Sequence, residues 1–168
     1  MENTVSTEQS DSTTLNINDV LYASETNTPA WLSNFINIYQ QLNTENLELL
    51  NEIYAQDIEF SDPMHKIVGL ENLHDYFANL YTNLSSCHFM IIETLCEGDG
   101  AAIYWSMEFS HKQLNKGKPV TVEGHSHIKR TQGKVYFHRD YIDVGAMLYE
   151  HIPVVGKVIK AIKARAAK

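Results

Sequence analysis

The chain has 168 residues, 43% of them hydrophobic and 20% charged, which fits one domain with its own core and excludes both wholesale disorder and a fibrous repeat. No apolar run reaches the ~18–20 residues of a spanning helix, and Met1–Asn18 lacks the basic start and apolar stretch of a secretion signal, so a cytoplasmic protein is expected. All 21 acids fall in residues 1–150, whereas five of the 13 lysines and arginines fall in the acid-free residues 151–168; a body of that sign repels phosphate backbones and argues against nucleic-acid binding.

Residues 1–28 are rich in Ser, Thr, Asn and acids, too poor in apolar groups to repay ordering, and are expected to form a flexible arm. The main domain is expected over 29–146. Thr28-Pro29 reads as a cap followed by proline in a first turn. Trp31, Leu32, Phe35, Ile36, Ile38, Tyr39 and Leu42 then recur at helical spacing. Thr44 is expected to cap a second helix with Leu47, Leu50, Ile53 and Tyr54 on its apolar stripe, ending near Gln56. A short strand Ile58–Ser61 closes at Asp62-Pro63. Gly69 turns the chain into a third helix carrying Leu70, Leu73, Tyr76, Phe77, Leu80 and Tyr81.

After Ser85-Ser86 the period changes to that of strands, predicted at 88–97, 101–111, 120–130 and 134–144, with turns at Gly98-Asp99-Gly100, 115–118 and Gln132-Gly133. The whole is an α+β domain in which a curled antiparallel sheet wraps over N-terminal helices as a cone, either filled by side chains or holding a ligand. Residues 147–168 form a C-terminal basic helix, Val154, Val155, Val158, Ile159 and Ile162 opposing the lysines. It either lies on the domain or makes a weak contact through 154–168 with an anionic membrane or a protein groove.

Alternation sorts the strand faces. Ile103, Trp105, Met107 and Phe109 should line the interior, and Ser126 is the polar exception among Val120, Val122, Gly124 and Ile128. In the last strand, Tyr136, His138, Asp140 and Ile142 oppose Val135, Phe137, Arg139, Tyr141 and Asp143. Either face buries an ionisable group, so a polar centre lies in the core. Cys87 and Cys96 lack metal-site spacing and read as buried thiols. His125 and His127 lack an evident third ligand, so no metal is expected, and no cofactor. His65 and His74 read as surface groups.

The run Ile53-Tyr54-Ala55-Gln56-Asp57-Ile58-Glu59-Phe60-Ser61-Asp62-Pro63, with Gly69 and Tyr76-Phe77, resembles the opening half of the nuclear transport factor 2-like superfamily. Gly133 to Tyr141 resembles its closing strand, particularly in SnoaL-like polyketide cyclases and ketosteroid isomerases. The resemblance spans roughly residues 30–145 and implies a fold that hosts isomerases, cyclases, hydratases, epoxide hydrolases and noncatalytic members. It implies Asp62 as the aspartate of the isomerases, Asp140 as that of the SnoaL-like cyclases, and a last strand with His138, Asp140 and Ile142 facing inward. The second isomerase aspartate aligns with Ser126 and the oxyanion tyrosine with Ile38, beside Tyr39. Homodimerisation through the convex sheet is likewise implied, with Arg139 and Glu123 as pairing candidates.

The leading expectation is a proton-transferring protein for a hydrophobic small molecule, with Asp140, His138, Asp62 and Ser126 as the catalytic set and Tyr39, Trp105, Met107, Phe109 and Ile142 against the ligand. The alternatives are a noncatalytic binding or interaction domain and an epoxide hydrolase or hydratase. In the catalytic reading, a carboxylate in a dry cavity takes a proton and a nearby donor holds the developing oxyanion.

Overall fold

The computed structural model describes residues 28–166; the predicted arm lies outside the described residues except for Thr28. Leu32, Phe35 and Ile38 fall on one side of α1 (Ala30–Gln41) and are buried, each full burial contributing about 1.5–3 kcal/mol. No side chain caps this helix. Pro29 precedes it with extended backbone, and its carbonyl accepts from the amides of Leu32 and Ser33, so Thr28 is not the cap and Pro29 stands outside the first turn.

The second helix is shorter than its pattern. A single 3₁₀ turn, Leu47–Leu49, leads into α2 (Leu50–Ile53), and Tyr54 already begins β1 (Tyr54–Ser61). Thr44 makes no cap; the turn is held by the Asn43 amide donating to Asn46 Oδ1 and the Glu45 amide donating to Asn43 Oδ1. β2 (Lys66–Val68) follows, and Gly69, at φ 89°, turns the chain into α3 (Leu70–Asn83). That positive φ favours a residue without Cβ.

Four long strands complete the sheet: β3 (Leu84–Glu97), β4 (Gly100–His111), β5 (Val120–Thr131) and β6 (Lys134–Ile142). They form the predicted antiparallel meander. β1 then pairs parallel to β6, giving a curved, unclosed mixed sheet in the order β2-β1-β6-β5-β4-β3. Register breaks within β3 and near the start of β6 supply bends of the kind that curve a sheet. Helices α1 and α3 bury Leu32, Phe35, Leu73 and Phe77 in one core with Ile58, Phe60, Ile103, Val122 and Ile128 of the sheet.

The break in β6 corrects the facing of its first residues. Lys129 pairs with Phe137 and Arg130 with Val135, so Tyr136 is bulged out. Val135 is buried and Tyr136 exposed, opposite to strict alternation, whereas His138 and Asp140 are buried as the resemblance implied. Cys87 is partly buried but Cys96 is exposed, beside the Gly98 turn, so only the first thiol is inside. The last strand ends at Ile142 rather than Val144, because Asp143 caps the short helix α4 (Val144–Met147) by accepting from the Ala146 amide. A 3₁₀ turn, Tyr149–His151, leads to α5 (Val155–Ala166), where only Gly156 is buried. Among the described residues no helix is long and apolar enough to cross a membrane.

Candidate active site

The concave face and α3 line a partly open cavity of about 460 Å³. Its wall is mainly apolar and aromatic: Tyr39 from α1, Phe60 from β1, Phe77 and Tyr81 from α3, and Trp105, Met107 and Phe109 from β4, with Ile142 at the end of β6. Met147, Leu148 and Ile152 also line it. All five residues expected against a ligand are therefore on this cavity.

Asp140 enters the same cavity from β6. It is the meeting point of two short chains of hydrogen bonds, one from Trp105 and one from Tyr54. Trp105 Nε1–H can only donate and does so to Ser126 Oγ at 2.9 Å, and the serine hydroxyl in turn donates a hydrogen bond to Asp140 Oδ1, at 2.5 Å. The same Oδ1 lies 2.8 Å from His138 Nε2, whose N–H donates to it, and His138 Nδ1 lies 2.6 Å from the Tyr54 hydroxyl. Ser126 and His138 thus converge on one carboxylate oxygen.

The other oxygen, Oδ2, has no hydrogen-bond partner among the described residues. No buried side-chain polar atom there lacks a partner, so Oδ2 is accessible, on a residue that lines the cavity. Ser126 and His138 stand behind Asp140 and do not line it. His138 is fully buried, packed among the rings of Phe35, Tyr39, Tyr54 and Phe60.

Gly124 has a packing reason in β5. A Cβ there would overlap the Trp105 ring and lie 2.7 Å from the Tyr141 carbonyl oxygen. Trp105 thus reaches Ser126 across a residue that must lack a side chain.

Asp62 sits at the cavity edge with both oxygens occupied. Oδ1 accepts from the amides of Met64, at 2.7 Å, and His65, at 2.6 Å, and Oδ2 accepts from the Tyr76 hydroxyl at 2.5 Å. The His65 ring adds a contact at 3.3 Å. This is the turn-bound carboxylate expected of Asp before Pro63.

Burial, and secondarily the charge of Asp140, hold the Tyr39 and Tyr54 hydroxyls well above their ordinary pKa. Tyr76 is pushed up by burial and by its bond to Asp62. All three are neutral O–H donors at neutral pH. Tyr39 Oη has no hydrogen-bond partner among the described residues and belongs to a residue that lines the cavity.

Sequence reasoning missed Tyr54, which a helical stripe had absorbed, and Tyr76, whose hydroxyl reaches back 14 residues to Asp62. The signal for Tyr54 was its place one residue after Ile53, at the junction where strand geometry takes over. His125 and His127 sit on the far side of the sheet, His125 stacked between Tyr104 and Tyr141. No cluster of metal-ligating side chains occurs among the described residues.

A curved, unclosed mixed sheet packed on N-terminal helices is the fold of nuclear transport factor 2-like proteins, and solved structures agree. A putative polyketide cyclase from Acidithiobacillus ferrooxidans superposes with a TM-score of 0.63 at 13% identity over 76% of this chain and 99% of that one. A protein from Catenulispora acidiphila with a ketosteroid isomerase-like fold, in complex with trimethylamine, gives 0.63 at 16% identity over 74% and 93%. A putative SnoaL-like polyketide cyclase from Jannaschia gives 0.60 at 13% identity over 73% and 94%. At such identities these likenesses establish the fold alone. No curated protein matches the chain. The SnoaL-like domain family matches residues 35–138, more than half the sequence, and the chain belongs to that family.

Proposed function

We propose that the protein binds a hydrophobic small molecule in the cavity and moves a proton on it, as an isomerase or cyclase does, with Asp140 as the base. The observation that carries this reading is the asymmetry of Asp140: Oδ1 is held by Ser126 and His138 while Oδ2 is left accessible on an apolar cavity. A carboxylate so oriented accepts a proton from a C–H beside a carbonyl held against the apolar wall. The Tyr39 hydroxyl is the donor for the enolate oxygen, since it is neutral, belongs to a residue that lines the cavity and has no partner of its own among the described residues. Ser126, His138, Trp105 and Tyr54 position the base. Asp62, both of whose oxygens are engaged, shapes the edge through Tyr76. Met107, Phe109 and Ile142 supply the apolar contact.

The test is solvent-deuterium exchange into β-tetralone, an apolar ketone of suitable size with acidic C–H bonds, followed by NMR. The wild-type chain should catalyse exchange and Asp140→Asn should lose about a hundredfold to ten-thousandfold of it, while both bind the ketone. Binding without exchange in either protein would favour the noncatalytic pocket. Hydration of an added epoxide, dependent on Asp140 and without ketone exchange, would favour the hydrolase alternative.

A further inference from the structure

Helix α5 is an amphipathic helix whose apolar side is mostly uncovered, with only Ile159 of its stripe partly buried. Val155, Val158, Ile159 and Ile162 follow the spacing of a single stripe, yet Val158 is 53% and Ile162 60% exposed. The only buried residue of α5 is Gly156, which crosses the carbonyl of Glu150 so closely that no Cβ could fit. This crossing fixes the start of the helix against the Tyr149–His151 turn. Lys163 is paired with Glu150 and lies 4.0 Å from Asp143. Lys157, Lys160 and Arg165 have no ion-pair partner among the described residues, and the helix contains no acid.

The helix begins at the cavity. Met147, Leu148 and Ile152 line it, and Ile152 accepts from the Gly156 amide at 2.9 Å. Ile152 is also exposed, as are Met64 and Leu80 on the same cavity. Exposed apolar surface therefore occurs both on α5 and on the cavity lining at its root.

We infer that α5 docks on an anionic lipid bilayer, lying in the interface with Val155, Val158 and Ile162 among the acyl chains and Lys157, Lys160 and Arg165 at the phosphates. Charge complementarity favours this occupant, because the cations are unopposed on a helix tethered to an otherwise acidic body. Area points the same way. Four aliphatic side chains on a twelve-residue helix cover roughly half of the ~800 Å² per partner of a stable protein interface, whereas a bilayer requires no matching shape. Docking there places the entrance of an apolar cavity beside the phase in which apolar ligands dissolve. This inference rests on the helix and its root, and stands whether or not Asp140 transfers a proton.

The experiment is cosedimentation of the full chain with phosphatidylcholine vesicles containing or lacking phosphatidylglycerol. Binding is expected to the anionic vesicles only and to weaken with salt. Replacing Lys157, Lys160 and Arg165 together by Glu should reduce it at least about a hundredfold, one factor of roughly five per cation removed. Val158→Glu with Ile162→Glu should reduce it comparably. Both variants change exposed side chains, and unchanged thermal melting confirms that they fold. Asp140→Asn should bind vesicles like the wild type, which separates this result from the test of catalysis. Equal sedimentation of the wild type and both variants overturns the inference. So does a lipid-free dimer that the Val158→Glu, Ile162→Glu variant dissolves, which would assign the face to a second copy of the chain.

Discussion

Replacing Ser126 by Ala tests whether the buried hydrogen bonds run in the direction assigned. Ser126 is 4% exposed and links two groups that are themselves buried. Its removal leaves the Trp105 indole N–H without an acceptor, costing about 1–3 kcal/mol, and takes a hydrogen-bond donor from Asp140, costing a similar amount, so roughly 2–6 kcal/mol is expected in all. Trp105→Phe instead removes the donor and some core volume, costing about 1–3 kcal/mol. The double variant has no indole N–H to strand. Its loss should therefore fall short of the sum of the single losses by about 1–2 kcal/mol, a coupling of the size contacting groups show. Urea unfolding at equilibrium measures all four proteins. Additivity within about 0.5 kcal/mol would refute the assignment, because the serine would then not be the acceptor that the tryptophan needs. Ser126→Thr, which keeps the hydroxyl, should recover part of the loss.

Other expectations follow from single contacts. Tyr54→Phe leaves the buried His138 Nδ1 without its hydrogen-bond partner and should cost about 1–3 kcal/mol in urea unfolding while leaving ketone binding intact. Gly124→Ala drives a methyl into the Trp105 ring and the Tyr141 carbonyl and should cost about 1–3 kcal/mol or more, with a change in tryptophan fluorescence as the indole shifts. Burial pushes the Cys87 thiol up to about 11 from 9.0. Maleimide at neutral pH should therefore label Cys96 first, as peptide mass spectrometry reads directly. Because the folded value is the higher one, the stability linked to Cys87 is fully present below pH 9 and is lost as pH rises through 11; urea midpoints across that range check the sign. Asp62→Ala frees the Met64 and His65 amides and should lower the melting temperature while reducing ketone exchange far less than Asp140→Asn does.

Much of this architecture was legible because period and burial agree. Leu32, Phe35 and Ile38 are spaced as a helix and buried as one, and Ile103, Trp105 and Phe109 alternate as a strand and face the core. Legibility failed where a local break outweighs the pattern. The bulge at Tyr136 reverses a face that alternation fixes only for regular strands, and Tyr54 satisfies a helical stripe although its backbone is already extended. The parallel pairing of β1 with β6 joins residues about 80 positions apart in sequence, a contact that no local signal carries. Within the site, alternation left both faces of the last strand open, and only the family resemblance turned His138 and Asp140 inward, where both are buried. What pattern could not supply was which carboxylate keeps an open oxygen: Asp62 and Asp140 look alike in sequence, and only the amides of Met64 and His65 on one and the cavity beside the other tell them apart.

The most direct measurement of the central claim removes every requirement except a base facing an apolar cavity. Ring opening of a nitro-substituted benzisoxazole begins with abstraction of one C–H proton and needs no oxyanion donor to proceed, and its phenolate product is followed by absorbance. The wild-type chain should accelerate it over buffer, and Asp140→Asn should lose at least about a hundredfold while melting normally. Equal rates for the two proteins would contradict the assignment of Asp140 as a base held open to the cavity.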